Sequence, residues 1–302
     1  MILIKQMMSA VLRPLVSLIP RGRHRIFRIF GMGGRDDPDW SACSRPIRML
    51  WDRELQAWIR CDLREWGGRW YYYHQQYYDR ILPLLLRSYL LQGDTFMDIG
   101  ANVGIHTLLA ARLVGETGTV MAVEQHPITC SWLRAHLAIN EFPRVQVFQV
   151  GLGAGSGTAC LTMKDNHSGT ASMRGDMEND TSLSNTVLVP VECGDTIFLS
   201  QITTGNIFMK IDVEGLEFAV IMGFRGFLET RKPKWVYVEV TPAWLVQRGE
   251  SATTLIGWMQ EFGYQTEVAT LYYKDFLFPR IAVHPFHGVP SKQQDLLFVR
   301  IH

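Results

Sequence analysis

Two acidic residues, Asp98 and Glu124, each follow a short apolar run, and their spacing indicates the nucleoside-binding edge of a parallel sheet. The run that ends at Asp98 leads into a turn bounded by Gly100 and Gly104, and an alanine- and leucine-rich segment follows at once. The second run ends at Glu124, one βαβ repeat later. Both acids are therefore predicted at the carboxyl edge of the sheet, where α/β proteins bind nucleoside-containing cofactors.

The spacing of the glycines in this turn helps to predict which cofactor it binds. A dinucleotide site needs G-x-G-x-x-G for close approach to a pyrophosphate, whereas Asn102 stands between Gly100 and Gly104 here. S-adenosyl-L-methionine has no phosphate and carries a sulfonium, an ammonium group and a ribose diol. We predict that Asp98, Gly100, Asn102, Gly104 and Glu124 bind it, with Glu124 accepting from both ribose hydroxyls. Taken alone, Asp98 is equally well explained as a helix N-cap.

A second acidic cluster, KIDVEGLE over residues 210–217, spans the end of a predicted strand and the first turn of the next helix. Asp212 is predicted to face the methyl-donor region, where a carboxylate could remove or orient the proton of an acceptor hydroxyl. With Glu214 it is also a candidate ligand pair for a divalent metal, although the cluster contains no histidine. The helix dipole alone explains Glu217, and Glu239, after another apolar run, is expected at the same edge.

Three histidines lie near these motifs. His106, two residues into the helix after the glycine turn, could act as a base but is more often a packing residue. His126 follows Glu124 closely and is expected to shape the adenosine pocket. His167 lies in a segment rich in Gly, Ser, Thr and Asn, and its role is not assigned.

The elements that must position these residues follow from the hydrophobic periodicity. Strand and helix patterns alternate from residue 95 onward, which predicts an α/β fold. The predicted strands are 95–99, 119–123, 145–150, 187–192, 206–211, 235–240 and 295–301. Residues 1–92 are predicted to form an N-terminal extension and cap, dense in Trp and Tyr, and residues 93–302 the cofactor-binding domain. Within it, residues 155–185 are predicted to form either a lid or a small hairpin insertion.

The composition narrows the class of protein. The formal net charge of +1 over 302 residues argues against a dedicated nucleic-acid binder. Five scattered cysteines support neither a disulfide framework nor a zinc site, which favours a cytoplasmic protein. Residues 1–30 hold six Lys or Arg and no acid. Two interpretations stay open for this segment: an amphipathic helix on an anionic membrane surface, or a helix that packs on the domain.

The motifs taken together resemble the FkbM family of S-adenosylmethionine-dependent methyltransferases. The segments that carry the resemblance, in order, are FMDIGANVGIHTLLAA, VMAVEQHP, VPVECGDTI, IFMKIDVEGLEFAVIMG and RKPKWVYVEV. The resemblance implies a Rossmann-like class I methyltransferase fold, with a mostly parallel seven-stranded sheet and helices on both faces. It also implies O-methylation of a sugar, glycan or polyketide-type hydroxyl. It places cofactor contacts at Asp98, Gly100, Asn102 and Glu124, and it places Asp212 and Glu214 near the reacting centre.

The sequence departs from the family pattern at two short segments, which are expected to affect the contacts with the adenine of the cofactor. Gln125-His126-Pro127 stands where Glu-Pro is usual, and Cys193-Gly194-Asp195 replaces Thr-Leu-Asp. Neither removes a carboxylate. Acceptor specificity is expected from residues 1–70 and 155–185, which match the family only loosely.

Two other classes of function remain as alternatives. One is a nicotinamide-dependent oxidoreductase on a Rossmann-type sheet, which the missing G-x-G-x-x-G disfavours. The other is a non-catalytic, membrane-associated protein that acts through residues 1–30. The acceptor and the oligomeric state are not assigned from the sequence.

Overall fold

The computed structural model describes residues 11–12, 45–75, 77–163, 171–174, 186–201, 203–274 and 278–301. The strands in this part of the chain are β1 (Ile47–Asp52), β2 (Ala57–Asp62), β3 (Thr95–Ile99), β4 (Thr119–Val123), β5 (Gln146–Phe148), β6 (Gly151–Gly153), β7 (Gly157–Met163), β8 (Ala171–Arg174), β9 (Thr186–Cys193), β10 (Ile207–Ile211), β11 (Trp235–Val240), β12 (Tyr264–Lys274), β13 (Phe278–Pro285) and β14 (Gln294–Arg300). The helices are α1 (Trp66–His74), α2 (Ile81–Tyr89), α3 (Ile105–Val114), α4 (Pro127–Ile139), α5 (Gly194–Phe198), α6 (Glu217–Gly223), α7 (Arg225–Thr230), α8 (Pro242–Gln247) and α9 (Ala252–Glu261).

A large sheet organises the molecule, with the strand order β13-β12-β14-β11-β10-β3-β4-β5. The five strands from β11 to β5 pair in parallel, while β14, β12 and β13 join antiparallel. The predicted count of seven strands was wrong, since the described sheet has eight. Two strands of this sheet, β12 and β13, were not predicted, and they pair with each other over eight residues at its edge. The predicted strand at 187–192 is β9, which belongs to a second sheet instead.

Helices cover both faces of this sheet, as expected for parallel strands that are buried on both sides. On one face, side chains such as Phe96 and Phe208 pack with α2, α3 and α4 in one hydrophobic cluster. On the other face, Met97 and Met209 pack with α6, α7 and α9 in a second cluster. Strands β3 and β10 are buried along their whole length, so their carboxyl ends are held in fixed positions.

The N-terminal part that the structure describes is an antiparallel β1–β2 hairpin followed by α1 and α2. Its buried side chains, among them Leu50, Ile59 and Leu85, belong to the same hydrophobic cluster as Phe96 of the main sheet. The boundary predicted at residues 92 and 93 therefore has a shared core on its two sides, and the division into two domains stays a prediction.

A second sheet with the order β6-β9-β7-β8 holds the predicted insertion. Strands β7 and β8 pair antiparallel, as in the hairpin interpretation of residues 155–185. Residues 164–170 and 175–185 lie outside the described residues, so the lid interpretation stays a prediction. In the parts of the chain that the structure describes, no helix is both long and apolar enough to cross a bilayer.

Candidate active site

The glycine turn after β3 and the acidic loop after β10 touch through their backbones. Gly100 has a φ of +78°, and a Cβ built on it would lie 1.8 Å from the carbonyl oxygen of Asp212. The amide of Asp212 also donates to the carbonyl of Ile99 over 3.1 Å. Only glycine fits this contact, because any side chain would separate the two loops. The predicted donor and acceptor motifs therefore form one continuous edge.

Glu124, at the end of β4, closes the other side of the turn. Its Oε2 accepts from the amide of Asn102 over 2.9 Å, and its Oε1 accepts from the amide of His126 over 2.8 Å. Burial raises the pKa of the Glu124 carboxyl to about 7, although these two backbone donors oppose the shift. Glu124 lines the cavity described below, and each carboxylate oxygen keeps a further lone pair for a ribose hydroxyl.

Asp98 lies behind this edge rather than on it. Its side chain is fully buried, and it is absent from the cavity lining. One oxygen accepts from the Thr107 hydroxyl over 2.6 Å, and the other lies 3.2 Å from the ammonium of Lys210. The predicted contact of Asp98 with the cofactor stays a prediction, and any influence on a bound ligand would pass through these partners.

Lys210 is the residue that sequence reasoning left without a role. Its ammonium donates to the carbonyl of Gly100 over 2.6 Å and lies 3.4 Å from the Asp212 carboxylate. Burial lowers the pKa of Lys210, but the attraction of Asp98 and Asp212 outweighs burial, so the net pKa is raised. The signal that could have found this role is the register, since β10 and β3 pair with Lys210 directly beside Asp98.

The acceptor side of the edge is a wall of carboxyl groups. One oxygen each from Asp212, Glu214 and Glu239 lie within 4.8 Å of one another, and Asp295 lines the same cavity. Burial and the nearby Asp212 charge raise the pKa of Glu214 to about 8 and also raise the pKa of Glu239. Burial, together with the charge of Asp79, raises the pKa of Asp295 to about 6.

Glu217 does not belong to this wall. It is 1% exposed and absent from the cavity lining, and its Oε1 accepts from the amide of Gly215 over 2.8 Å. It lies in the first turn of α6, as the helix-dipole interpretation expected. The predicted metal at Asp212 and Glu214 stays a prediction. The structure adds Glu239 as a third oxygen donor close enough to share one cation.

Two of the three histidines have defined positions. His106 lines the cavity, and its Nε2 lies 3.2 Å from the Asp79 carboxylate. Asp79 is itself held by the amides of Ile81 and Leu82, at 2.9 and 3.3 Å. His126 caps α4 by accepting from the Thr129 amide and is absent from the cavity lining, so its expected part in an adenosine pocket stays a prediction. His167 lies outside the described residues.

These groups surround a cavity of about 410 Å³, within the range of about 300–1,000 Å³ usual for small-ligand sites. Aromatic side chains from the N-terminal part of the chain, including Trp66, Tyr77 and Tyr78, form part of its lining. The carboxyl groups in the lining are Asp62, Glu65, Asp79, Glu124, Asp212, Glu214, Glu239 and Asp295. Lys210 is the one lysine among the described lining residues, and no arginine accompanies it.

The charge of this cavity fits S-adenosyl-L-methionine better than a phosphate-bearing cofactor. The sulfonium and the ammonium group are cations, which carboxylates attract. Glu124 has acceptor capacity left for the ribose diol. A pyrophosphate would face these acids without an arginine to pair with.

Comparison with known proteins gives a family match. Residues 98–266, more than half of the chain, match the family model described as the methyltransferase FkbM domain. No curated protein matches the chain.

Several solved structures are similar to the chain at low sequence identity. A methyltransferase FkbM from Methylobacillus flagellatus KT is 19% identical with a TM-score of 0.43, covering 75% of this chain and 49% of that chain. A precorrin-6y C5,15-methyltransferase from Geobacter metallireducens GS-15 is 11% identical with a TM-score of 0.39, covering 72% and 87%. A SAM-dependent O-methyltransferase from Thermotoga maritima is 13% identical with a TM-score of 0.33, covering 73% and 63%. The match thus spans about half the length of the first of these proteins.

Proposed function

Because this chain belongs to the FkbM methyltransferase family, we propose that it transfers a methyl group from S-adenosyl-L-methionine to a hydroxyl oxygen of a small-molecule or glycan acceptor. The fold is the α/β class I methyltransferase fold that the sequence implied, with eight strands in the main sheet instead of seven. The observation that carries the proposal is the single cavity in which the glycine turn, Glu124 and the Asp212–Glu214 loop meet.

On the donor side, the proposed contacts come from the turn and from Glu124. When bound, S-adenosyl-L-methionine supplies an electrophilic methyl group on its sulfonium. The Glu124 carboxylate would accept from the ribose hydroxyls while its two backbone donors keep it oriented. Gly100, Asn102 and Gly104 would define the shape of the turn, since each has a positive φ.

On the acceptor side, Asp212 and Glu214 are the proposed catalytic residues. The Asp212 carboxylate is 35% exposed and anchored by Lys210, so it is accessible to an acceptor hydroxyl and could take its proton. The raised pKa of Glu214, about 8, keeps this carboxyl largely protonated at neutral pH, which makes it a hydrogen-bond donor to an acceptor oxygen. His106, which lines the cavity and is oriented by Asp79, is the alternative base.

The charge of the cavity restricts the class of acceptor. A phosphorylated, sulfated or nucleotide-linked acceptor would bring a negative charge next to the acidic wall, whose cationic partner Lys210 is already paired with Asp98 and Asp212. Like charges at short range cost free energy. The proposed acceptor is therefore a neutral or amine-bearing hydroxyl compound.

Calorimetric titration with S-adenosylhomocysteine tests the donor half of the proposal. We expect binding by the wild-type protein and at least about tenfold weaker binding by Glu124→Ala, since the ribose contact of a charged acceptor group is worth about 1.5–3 kcal/mol. Glu261→Ala, an exposed glutamate on α9, is the matched control and should bind like the wild type. No binding by folded wild-type protein would refute the proposed cofactor.

The acceptor half is tested separately by transfer of a labelled methyl group to a panel of acceptors. The panel compares neutral sugars, amino sugars and sugar phosphates, with S-adenosylhomocysteine binding measured in parallel. We expect transfer to members of the first two groups. Transfer that is restricted to the phosphates would contradict the proposed acceptor class and leave the cofactor assignment intact. The nicotinamide alternative, which the family match disfavours, predicts quenching by NADH instead.

A further inference from the structure

The outward face of the β1–β2 hairpin is apolar where a solvent-facing strand pair is usually polar. Met49, Trp51 and Trp58 are 44%, 43% and 45% exposed, and we call these three residues the tryptophan face. Trp51 and Trp58 are directly opposite each other in the strand register, and their rings meet edge-on with centroids 5.3 Å apart. The hairpin therefore presents a preformed aromatic surface.

The hydrophobic core does not require this face. The alternate residues of the same strands, Leu50, Ala57 and Ile59, are 4%, 1% and 1% exposed and already anchor the hairpin. The tryptophan face points to the opposite side, where its apolar side chains stay exposed to water. Polar residues at these positions would leave the core unchanged and would not expose apolar surface. A cluster of large apolar side chains at the surface is typical of an interaction site.

The charges around the face identify the kind of partner. Residues 45–60 contain four arginines, Arg45, Arg48, Arg53 and Arg60. Among the acids of the hairpin, Asp52 and Asp62 are only 6% and 7% exposed, and Asp52 accepts from the Tyr71 hydroxyl. Glu54 is the exposed acid that stands against these four arginines. The hairpin surface is thus cationic as well as aromatic. A neutral carbohydrate would stack on the tryptophan rings without pairing with the arginines. An anionic lipid surface would contact the rings and also pair with the arginines.

Arg60 shows how the cationic and aromatic groups combine. Met49 pairs with Arg60 across the hairpin, so this arginine projects on the outward face. Its guanidinium carbon lies 4.1 Å from the centroid of the Trp132 ring, and a guanidinium that stacks on a ring keeps the N–H groups at its edge as donors to a phosphate. Tryptophan at head-group level together with arginine near lipid phosphates is the side-chain combination found at membrane interfaces.

We propose that the tryptophan face docks on an anionic lipid surface, with Trp51 and Trp58 at the head-group level. Arg60 and Arg53, which is exposed in the hairpin turn, would lie beside the lipid phosphates. This docking is independent of the methyl-transfer proposal. The basic residues of segment 1–30, which the sequence connects to the start of this hairpin, carry the same sign of charge. Trp132 and Ile59 also line the cavity, so the docked protein would hold its cavity next to the lipid surface.

Vesicle sedimentation with the full chain tests the proposal. We expect the protein to sediment with vesicles of phosphatidylcholine mixed with phosphatidylglycerol, and far less with phosphatidylcholine alone. The variant Trp51→Ser/Trp58→Ser should bind the anionic vesicles at least about tenfold more weakly, since its interfacial aromatic groups are removed. The matched control Leu188→Ser/Val246→Ser removes two exposed apolar side chains elsewhere and should bind like the wild type.

Arg53→Gln/Arg60→Gln separates the charge contribution from the aromatic one. We expect this variant to lose most of its preference for the anionic vesicles. Wild-type protein that does not sediment with them would overturn the proposal. It would also be overturned if the tryptophan variant bound like the wild type, which would assign binding to another segment, or if the control variant lost binding to the same degree.

A second measurement keeps the test decisive if the serine variant fails to fold. Vesicles with brominated acyl chains quench tryptophans that enter the interface. We expect quenching of the wild-type fluorescence and its clear reduction in Trp51→Phe/Trp58→Phe, which retains an apolar hairpin face. Equal fractional quenching of the two proteins would show that these tryptophans do not meet the lipid.

Discussion

A Cβ on Gly100 would lie 1.8 Å from the carbonyl oxygen of Asp212, so the two most distinctive motifs of the chain are in backbone contact. Gly100 follows β3 and Asp212 follows β10, two strands that are neighbours in the sheet although they are far apart along the chain. The donor turn and the acceptor loop are thus assembled by strand pairing. Substitutions at this junction are expected to affect both.

Gly100→Ala tests this contact. The residue has a φ of +78° and no space for a methyl group, and a non-glycine residue held in such a conformation costs about 1–3 kcal/mol before any clash is counted. We expect the free energy of unfolding, measured in urea, to fall by more than about 2 kcal/mol. Gly155→Ala, where a Cβ would meet nothing within 4 Å, should change it by less than about 0.5 kcal/mol. Equal effects at the two positions would contradict the close approach.

Lys210→Met tests the buried charge network. Removing the ammonium leaves the fully buried Asp98 without its cation, and breaking such a pair costs about 3–5 kcal/mol. We expect a loss of that size in urea unfolding. The double variant Lys210→Met/Asp98→Asn should recover part of it, because the fully buried charge at position 98 is then removed, while the more exposed Asp212 carboxylate still lacks its cation. If the double variant is as unstable as the sum of the single ones, the two residues do not interact as described.

The pH dependence of S-adenosylhomocysteine binding follows from the Glu124 pKa of about 7 in the free protein. A ligand whose hydroxyls donate to the carboxylate prefers the ionised form. Affinity should therefore fall as the pH is lowered from about 8 to about 6, by at most about tenfold per pH unit below the pKa. In Glu124→Gln, which does not titrate, this part of the dependence should be absent. Calorimetry at several pH values makes the comparison.

Stability should decrease toward alkaline pH because of the acidic wall. The ordinary glutamate pKa is 4.5, and in the folded protein burial raises that of Glu214 to about 8. A raised folded-state pKa favours the folded state below pH 4.5, and this contribution is lost as the pH rises through about 8. The thermal midpoint should thus be lower at about pH 9 than at about pH 7, and Glu214→Gln should reduce the difference. The exposed Glu261→Gln is the control, and a larger difference in the Glu214 variant would contradict the assignment.

The sequence predicted the strands that carry the site with accurate bounds. Strands β3 and β4 begin and end at the predicted residues, because each is a buried, mostly apolar run with an acid near its end: Asp98 inside β3 and Glu124 directly after β4. The β12–β13 hairpin was missed. Its sequence includes exposed residues such as Tyr272 and Arg280 and lacks a continuous apolar run. The pattern of these residues therefore did not distinguish a strand from a loop.

The side-chain contacts inside the site could not be predicted from the sequence. Lys210 was visible only as the first letter of KIDVEGLE, and its role depends on the register of β10 beside β3. The Asp79–His106 pair joins a residue two positions before α2 to the start of α3. The hydrophobic periodicity of the sequence does not predict such a contact. Segment-level chemistry was therefore predictable, whereas the partners that set pKa values and fix side chains required the three-dimensional arrangement.

One ammonium group, that of Lys210, contacts the carbonyl of Gly100 on one loop and the carboxylate of Asp212 on the other. A ligand that shifts either loop must also change the energy of the other. Donor and acceptor affinities should consequently be cooperative, and thermodynamic linkage requires the effect to be reciprocal: whatever factor the first ligand imposes on the second, the second imposes on the first.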